Sequence, residues 1–472
     1  MSIEPFGAVV ILLGLLGLLL DASFLIYLFI ISTLLGAAGA VILTSFGSAN
    51  LSPAHLLLGF LSLKILIDRG RLPVALSGIA FPREGFWLFL TVAYAAAGAY
   101  IMPRLFEGVT DVFAISRDPG SSTTLWALHP VTGNVTQTIY FIGDFVCFLV
   151  FYSFGRDQRL TRALCYAGML CGILNLAFVV VDLGTYWTGT AELLSFLRNA
   201  SYRMLDDVEI LGLKRIVGSF TEASAFAYAS LGLFAFTGKL WLRGIYPGLN
   251  GVIALLTLIA LLASTSTTAY AGVGLLLAWE YLGCLKAIRD GRGTSACVVF
   301  ALLGPLLALL AIVAVALDHA SWLFAQDLLN KTLFDKLTSS SGMERSSWNS
   351  QALANFIATS GFGVGVGSTR ASSLVFAILG TLGVFGSVTY GVFIVNVLMR
   401  RDAGRDWLVD ALRAAAQSAC LAALIAGCIA ASFVDIGLPF FLFAGTAAGL
   451  RDSQASPATD APADQLQPEW AR

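Results

Sequence analysis

Most of the chain is laid out as apolar runs of 14 to 26 residues separated by short polar breaks. The runs fall near 6–20, 24–43, 54–67, 86–102, 135–154, 163–181, 220–237, 246–263, 268–285, 296–317, 374–399, 411–432 and 434–450. Runs of this length predict helices that cross a bilayer, and the strand alternation of an outer-membrane barrel is absent. The third run is short, and Asp21 with two small residues is all that parts the first two. The pattern therefore predicts an all-α polytopic integral membrane protein of twelve or thirteen spans over residues 1–450. Residues 451–472, rich in Pro, Ala and Asp, predict a disordered tail.

Basic residues orient the spans. Arg69, Arg71 and Arg83 share one short loop, and Arg156, Arg159 and Arg162 a second. Lys239 with Arg243, then Lys286 with Arg289 and Arg292, then Arg400, Arg401 and Arg405 mark three more. These five loops alternate consistently, so the positive-inside rule places all of them, and the carboxyl terminus, in the cytoplasm. Three long segments, 103–134, 182–219 and 318–373, fall on the opposite, extracytoplasmic side, the last being the largest.

Composition agrees with the membrane reading. The chain is 57% hydrophobic and 12% charged, with a mean hydropathy of +0.82; soluble domains carry roughly 25% charged residues. A net charge of −1 gives no reason to expect a nucleic-acid partner. The seven cysteines lie in or beside apolar runs with no CxxC spacing, so they read as packing residues, not as disulfides or a metal site. The amino terminus, MSIEPFG, lacks a basic region and reads as a first membrane element, not a cleaved signal.

Against this apolar background the segment 339–386 stands apart: SSSGMERSSWNSQALANFIATSGFGVGVGSTRASSLVFAILGTLGVFG. Arg345 and Trp348 fall on one face of any helix there, and Arg370 follows Gly363, Gly365 and Gly367. Alternating glycines permit close backbone approach and can present N–H groups to an anion. Gly380, Gly383 and Gly386 recur every three residues and suit tight helix packing. Before it, residues 321–338 set Leu323, Phe324, Leu328, Leu333, Phe334 and Leu337 near one face, an amphipathic helix pattern suited to an interface.

In the preceding outer segment, Leu193, Leu194, Leu197, Met204 and Leu205 suggest the apolar side of an interfacial helix with Arg198 and Arg203 at its edge. Arg215 lies just outside the next span and Glu222 inside it, where an ionisable residue suggests function or a structural ion pair. The hydroxyl-rich turn Ser264–Thr268 either meets a ligand or satisfies helix ends.

Arginine stays protonated and its planar fork matches phosphate and carboxylate. Arg215, Arg345 and Arg370 at one membrane surface therefore point to an anionic ligand presented from the bilayer, such as a lipid-linked pyrophosphate. No metal-ligand cluster, Walker loop or Ser–His–Asp arrangement is recognisable, so the expected chemistry uses no metal and no cofactor. Glu222 is the candidate to accept a proton from an attacking sugar hydroxyl.

The stretches RIVGSFTEASAFAY (215–228), ERSSWNSQALANFIATSGFGVGVGSTR (344–370) and LGTLGVFG (379–386) resemble the bacterial O-antigen and exopolysaccharide polymerases and the related O-antigen ligases. The resemblance runs over about 210 to 400 and rests on short motifs. It implies glycan transfer from an undecaprenyl-pyrophosphate carrier onto a lipid-linked repeat unit at the periplasmic face of the inner membrane. It also implies a chain-length regulator as a possible protein partner. Arg215 and Arg345, with Arg370 a looser match, would bind pyrophosphate; Trp348, Gly363, Gly365 and Gly367 complete the expected substrate-binding set, and Glu222, Arg215 and Arg345 the catalytic one. Two departures bear on the reading. Ligases tend to carry a histidine where this chain has Arg370, which favours polymerase, and the family's frequent arginine is missing from Ser264–Thr268. Competing readings are a ligase, a flippase or other transporter of lipid-linked sugars, and a lipid-phosphate-sugar glycosyltransferase using Glu107 or Asp111.

Overall fold

The computed structural model describes residues 2–43, 49–113, 124–200, 204, 205, 207–335, 339–400 and 406–455. Its architecture is a helical bundle. The first helices are α1 (Pro5–Leu19), α2 (Ala22–Ser32), α3 (Pro53–Ile67), α4 (Arg71–Ser77), α5 (Glu84–Leu105), α6 (Thr132–Phe154) and α7 (Gln158–Thr188). A second group holds α8 (Ala223–Leu242), α9 (Pro247–Ala263), α10 (Thr267–Arg289), α11 (Ser295–Leu317) and α12 (His319–Leu329). The last are α13 (Ser340–Ala358), α14 (Leu374–Met399), α15 (Trp407–Ala430) and α16 (Leu438–Ala455). Among the described residues the strands form three small antiparallel sheets, the largest joining Ser2–Ile3, Val41–Leu43 and Ala49–Leu51.

Local chemistry sets the helix starts. Proline opens α1, α3 and α9, where its missing N–H costs nothing. Asp21, Asp157 and Asp406 cap α2, α7 and α15 by accepting hydrogen bonds from first-turn N–H groups. Among the described residues, eight helices (α5, α6, α7, α8, α10, α11, α14 and α15) are long and apolar enough to cross a membrane. Five shorter apolar helices accompany them: α1, α2, α3, α9 and the Leu438–Arg451 part of α16. The chain is thus a multi-pass membrane protein by the character of its helices. α8, α15, α6 and α16 pack at its centre around Phe148, Phe151, Phe226, Phe393 and Phe441, all fully buried.

Several boundaries differ from the hydrophobic pattern. The run 24–43 is helical only to Ser32; the chain then turns, with Ser219 Oγ donating to the Leu34 carbonyl and Ala200 N to that of Ala37. Small residues at Gly36, Ala37, Ala38 and Gly39 allow this close approach of another segment. α7 continues six residues beyond Asp182, so 182–219 is not all loop. The expected interfacial helix there is only a 3₁₀ turn, Ala191–Leu194; Leu194 and Leu197 are buried whereas Leu193 is exposed. In 321–338, α12 and a π-turn at Asn330–Phe334 form, but α12 buries no residue and Leu323, Phe324 and Phe334 are exposed. α16 runs to Ala455, past the expected boundary. Arg117, Asp118, Arg203, Leu337 and the tail from 456 lie outside the described residues.

The alternating glycines have a backbone explanation. Gly361, Gly363, Gly365 and Gly367 all have φ near +80° (81°, 82°, 84° and 81°), which favours glycine. α14 is broken at Gly383 (φ 61°, ψ −159°), which frees helical carbonyls. The glycine loop occupies them: Val364 N donates to Gly380 O at 2.9 Å, Gly365 N to Thr381 O at 3.1 Å, and Val384 N returns to Gly361 O at 2.8 Å. Gly383 is therefore a break in the helix, and of the three-residue repeat Gly380 abuts the neighbouring helix at Ala352 of α13.

Replacing Gly367 with alanine would set a Cβ 2.2 Å from the Gly133 carbonyl oxygen in a left-handed conformation. The backbone alone costs about 1–2 kcal/mol, and the clash adds to it. Gly391→Ala, whose Cβ meets nothing within 4 Å, is the control. Scanning fluorimetry of the detergent-purified variants should show a lower unfolding temperature for Gly367→Ala and little change for Gly391→Ala.

Candidate functional site

One end of the bundle gathers the polar segments that follow α7 and precede α8, the turn between α9 and α10, α13 and the glycine loop. Their anchor is Asp182, near the end of α7 and 1% exposed. Its carboxylate accepts from Arg198 Nη2 at 2.7 Å, Lys214 Nζ at 3.1 Å, Val217 N at 2.9 Å and Gly218 N at 3.0 Å. Arg198 also donates to the Gly218 carbonyl at 2.7 Å. A buried carboxylate with this many donors is stabilised in its charged form, and it holds 214–218 in one conformation. Arg198, expected at the edge of an interfacial helix, is instead half of this clamp.

Arg215 sits between two clamped residues. Its Nη2 donates to the Thr265 carbonyl at 3.4 Å, and its buried Nε has no hydrogen-bond partner among the described residues. Thr265 has a left-handed φ of 49°, unusual for a β-branched residue, and its buried Oγ1 is likewise unpartnered. Tyr270, one turn into α10, lies within the field of Arg215. Thr267 Oγ1 donates to Thr332 O at 2.6 Å, tying the hydroxyl-rich turn to the π-turn after α12.

Arg370 is fixed from three sides. Its backbone N donates to Phe113 O at 3.1 Å, and its Nη2 to Ser432 Oγ at 3.3 Å. The following residues are pinned by Ala371 N to Ser432 O at 3.0 Å and Ser372 N to Asn349 Oδ1 at 2.8 Å. The guanidinium lies over Trp348, Cζ 3.9 Å from the ring centroid, and that indole is buried on α13. Arg370 Nε is also unpartnered.

Arg345 and Glu222 bring the two halves together. Burial pulls Arg215 below its ordinary pKa, with Glu222 and Tyr270 opposing and the Arg345 charge adding to the shift. Burial lowers Arg370 likewise; Glu344 opposes, Arg345 adds and Glu222 opposes. Arg345 and Glu222 are thus common electrostatic neighbours of Arg215 and Arg370, although the segments are far apart in sequence. An arginine side chain is not deprotonated at ordinary pH in proteins, so the cluster is cationic. Arg345 makes no hydrogen bond or ion pair with a described residue. Glu222 precedes α8 and accepts from Ser224 Oγ.

No family model, curated protein or solved structure matches this chain.

The glycines take a different place from the one expected. The N–H groups of Gly363 and Gly365 are already donated, to Thr359 Oγ1 at 2.9 Å and Thr381 O at 3.1 Å. Cβ positions at Gly363, Gly365 and Gly367 are blocked by backbone atoms of α14, α5 and α6. These two N–H groups are not available to an anion, and the loop delivers Arg370 to the site. Gly367 N donates to no described residue in this way. Among the early outer residues, Asp111 lends its carbonyl to Gln351 Nε2 at 2.6 Å, and Glu107 is exposed. Among the described residues no group of three or more His, Cys, Asp or Glu side chains is arranged to hold a metal.

Asp182 and Tyr270 were missed from sequence, whereas Thr265 lies in the hydroxyl-rich turn that the sequence singled out. The available signal for Asp182 was an acid in FVVVDLG, at the end of an apolar run. Asp182→Ala leaves Arg198 and Lys214 buried without their carboxylate, a cost of about 3–5 kcal/mol. Limited proteolysis of the purified variant should cleave within 204–218 much faster than in the parent chain, with the bundle retained on size exclusion.

Proposed function

We propose that the chain is a polysaccharide polymerase, which moves a growing glycan from its polyprenyl-pyrophosphate carrier onto the next lipid-linked repeat unit. The observation that carries this reading is that Arg215 and Arg370, from separate segments, share Arg345 and Glu222 as electrostatic neighbours. A pyrophosphate diester carries one negative charge on each phosphoryl group, and planar guanidinium groups match its oxygens. The sequence resemblance to O-antigen and exopolysaccharide polymerases supports the same reading.

In this mechanism the arginines bind the pyrophosphate and stabilise the charge that develops on it as the glycosidic bond breaks. Arg345 is the natural first contact, since Arg215 and Arg370 are already held by Thr265 and by Trp348 with Ser432. The carboxylate of Glu222 takes the proton of the attacking sugar hydroxyl. The carrier's tail lies against the apolar exterior of the bundle. The basic loops at the opposite end support a cytoplasmic carboxyl terminus and a site facing the periplasm across the bacterial inner membrane. Twelve or thirteen crossings, with 318–373 as the large outer segment and a chain-length regulator as a possible partner, complete the proposal.

One feature favours a second reading, a transporter of lipid-linked sugars. Asp144 on α6 is buried with one unpartnered oxygen and meets Asp435, close to His55 on α3. Intramembrane ionisable groups of this kind occur in transport pathways.

Purified protein incubated with a lipid-linked repeat unit should give a ladder of glycan lengths. Arg215→Ala or Arg345→Ala should slow it about 100-fold or more, with the lysine variants recovering only part of the rate. A ladder indifferent to both substitutions removes the site. A single transfer to a different acceptor makes the protein a ligase-type transferase, and movement of unpolymerised unit across a vesicle makes it a transporter.

A further inference from the structure

At the opposite end of the bundle lies a second cationic site, unconnected with the arginines above. A cavity of about 490 Å³ opens between the start of α2 and the first turns of α7, lined by Ser23, Tyr27, Gln158, Arg159, Arg162 and Tyr166. Its volume is within the usual range for small-molecule sites, about 300–1,000 Å³.

The charges in it are poorly matched internally. Arg159 reaches Asp21 at 3.5 Å, but its side chain is 74% exposed and Asp21 already caps α2. Arg162 makes no ion pair with a described residue. The nearby Asp157 is engaged elsewhere, accepting from Arg71 Nη2 at 2.9 Å and from the Arg159 and Leu160 N–H groups. Phenols complete the wall: Tyr27 and Tyr166 line it, and Tyr166 is held by a hydrogen bond of 2.7 Å to Tyr246. Tyrosines at helix ends are the side chains that sit at a membrane–water interface.

The cavity continues onto an apolar track. Tyr166, Ile173 and Val180 are exposed at seven-residue intervals along α7, so they lie on one face. Fourteen residues of helix span about 21 Å, more than one leaflet of a hydrocarbon core about 30 Å thick. A headgroup seated on the arginines would thus have its acyl chain against this face.

We propose that this cavity binds the phosphate headgroup of an anionic glycerophospholipid in the leaflet bordering the basic loops. The shared chemistry is a phosphate anion between two arginines and phenolic hydroxyls; the apolar track selects the lipid over free phosphate. The inference rests on the membrane character of the helices and not on the polymerase reading.

Native mass spectrometry of the full chain in detergent, titrated with phosphatidylglycerol or with phosphatidylcholine of the same acyl composition, tests it. Phosphatidylglycerol should be retained about tenfold more tightly, and the double variant Arg159→Gln/Arg162→Gln should weaken it about thirtyfold. Both arginines are exposed, and size exclusion of the variant checks folding. Arg345→Ala, in the other site, should leave the preference intact. Equal retention of the two lipids, or a preference that survives the double substitution or is lost with Arg345→Ala, overturns the proposal. Displacement of phosphatidylglycerol by inorganic phosphate at comparable concentration overturns the lipid assignment in favour of a soluble phosphate.

Discussion

The arrangement at the arginine end depends on one buried carboxylate. Asp182 collects two cationic side chains and two backbone N–H groups within 3.2 Å, a set that only a charged acceptor could satisfy. Removing an ion from water is costly, and the cost is recovered only when the geometry is good and the remaining valences are filled. Here they are filled by the very segment that carries Arg215. The rigid part is α7, and the segment 214–218 is folded onto it. Arg215 is therefore presented by a loop with the precision of a helix, which loops rarely achieve without such a tether.

The second half of the site reaches comparable rigidity by a different route. The glycine loop is pinned not by charge but by backbone pairing with the carbonyls that the break at Gly383 releases. Each device solves the same problem, since a polar loop at a membrane surface has backbone groups to satisfy. A consequence is that Arg370 and its stack on Trp348 are positioned by α14 and α13 together. The two arginines already engaged, Arg215 and Arg370, thus belong to separately anchored units. Arg345, half-buried on α13, is an electrostatic neighbour of both and makes no hydrogen bond or ion pair with a described residue.

The helices were legible because a bilayer imposes a length and an apolar composition on them, and both can be counted along the chain. The termini of those helices were not. The run 24–43 stays apolar past Ser32 because Leu34, Ala37, Ala38 and Ala40 are buried against neighbouring segments, and hydropathy reports burial, not helicity. Arg215, Arg345 and Arg370 stood out for the opposite reason, as charges beside apolar spans. What sequence could not supply was pairing at long range. Asp182 meets Lys214 thirty-two positions away, and Arg215 meets Thr265 fifty positions away. The glycines misled because alternate glycines signal close backbone approach without saying to what. In this fold the approach at Gly363, Gly365 and Gly367 is to the chain's own α14, α5 and α6.

The polar atoms left over bear on what the site is for. Arg215 Nε, Arg370 Nε and Thr265 Oγ1 are buried with no hydrogen-bond partner among the described residues. Each such group costs of order 1–3 kcal/mol, and Thr265 adds the strain of a left-handed backbone. Nothing in the packing requires these costs: an apolar side chain of similar volume at either arginine would leave the helices joined and the glycine loop paired. Arginines with unspent donors are what an anion with several acceptor oxygens would stabilise, each oxygen offsetting a cost the free protein bears. In the Asp182 clamp the cations are bonded directly to a carboxylate. Arg215, Arg345 and Arg370 form no ion pair with a described carboxylate, and that contrast is the physical reason for proposing one cluster as scaffold and the other as site.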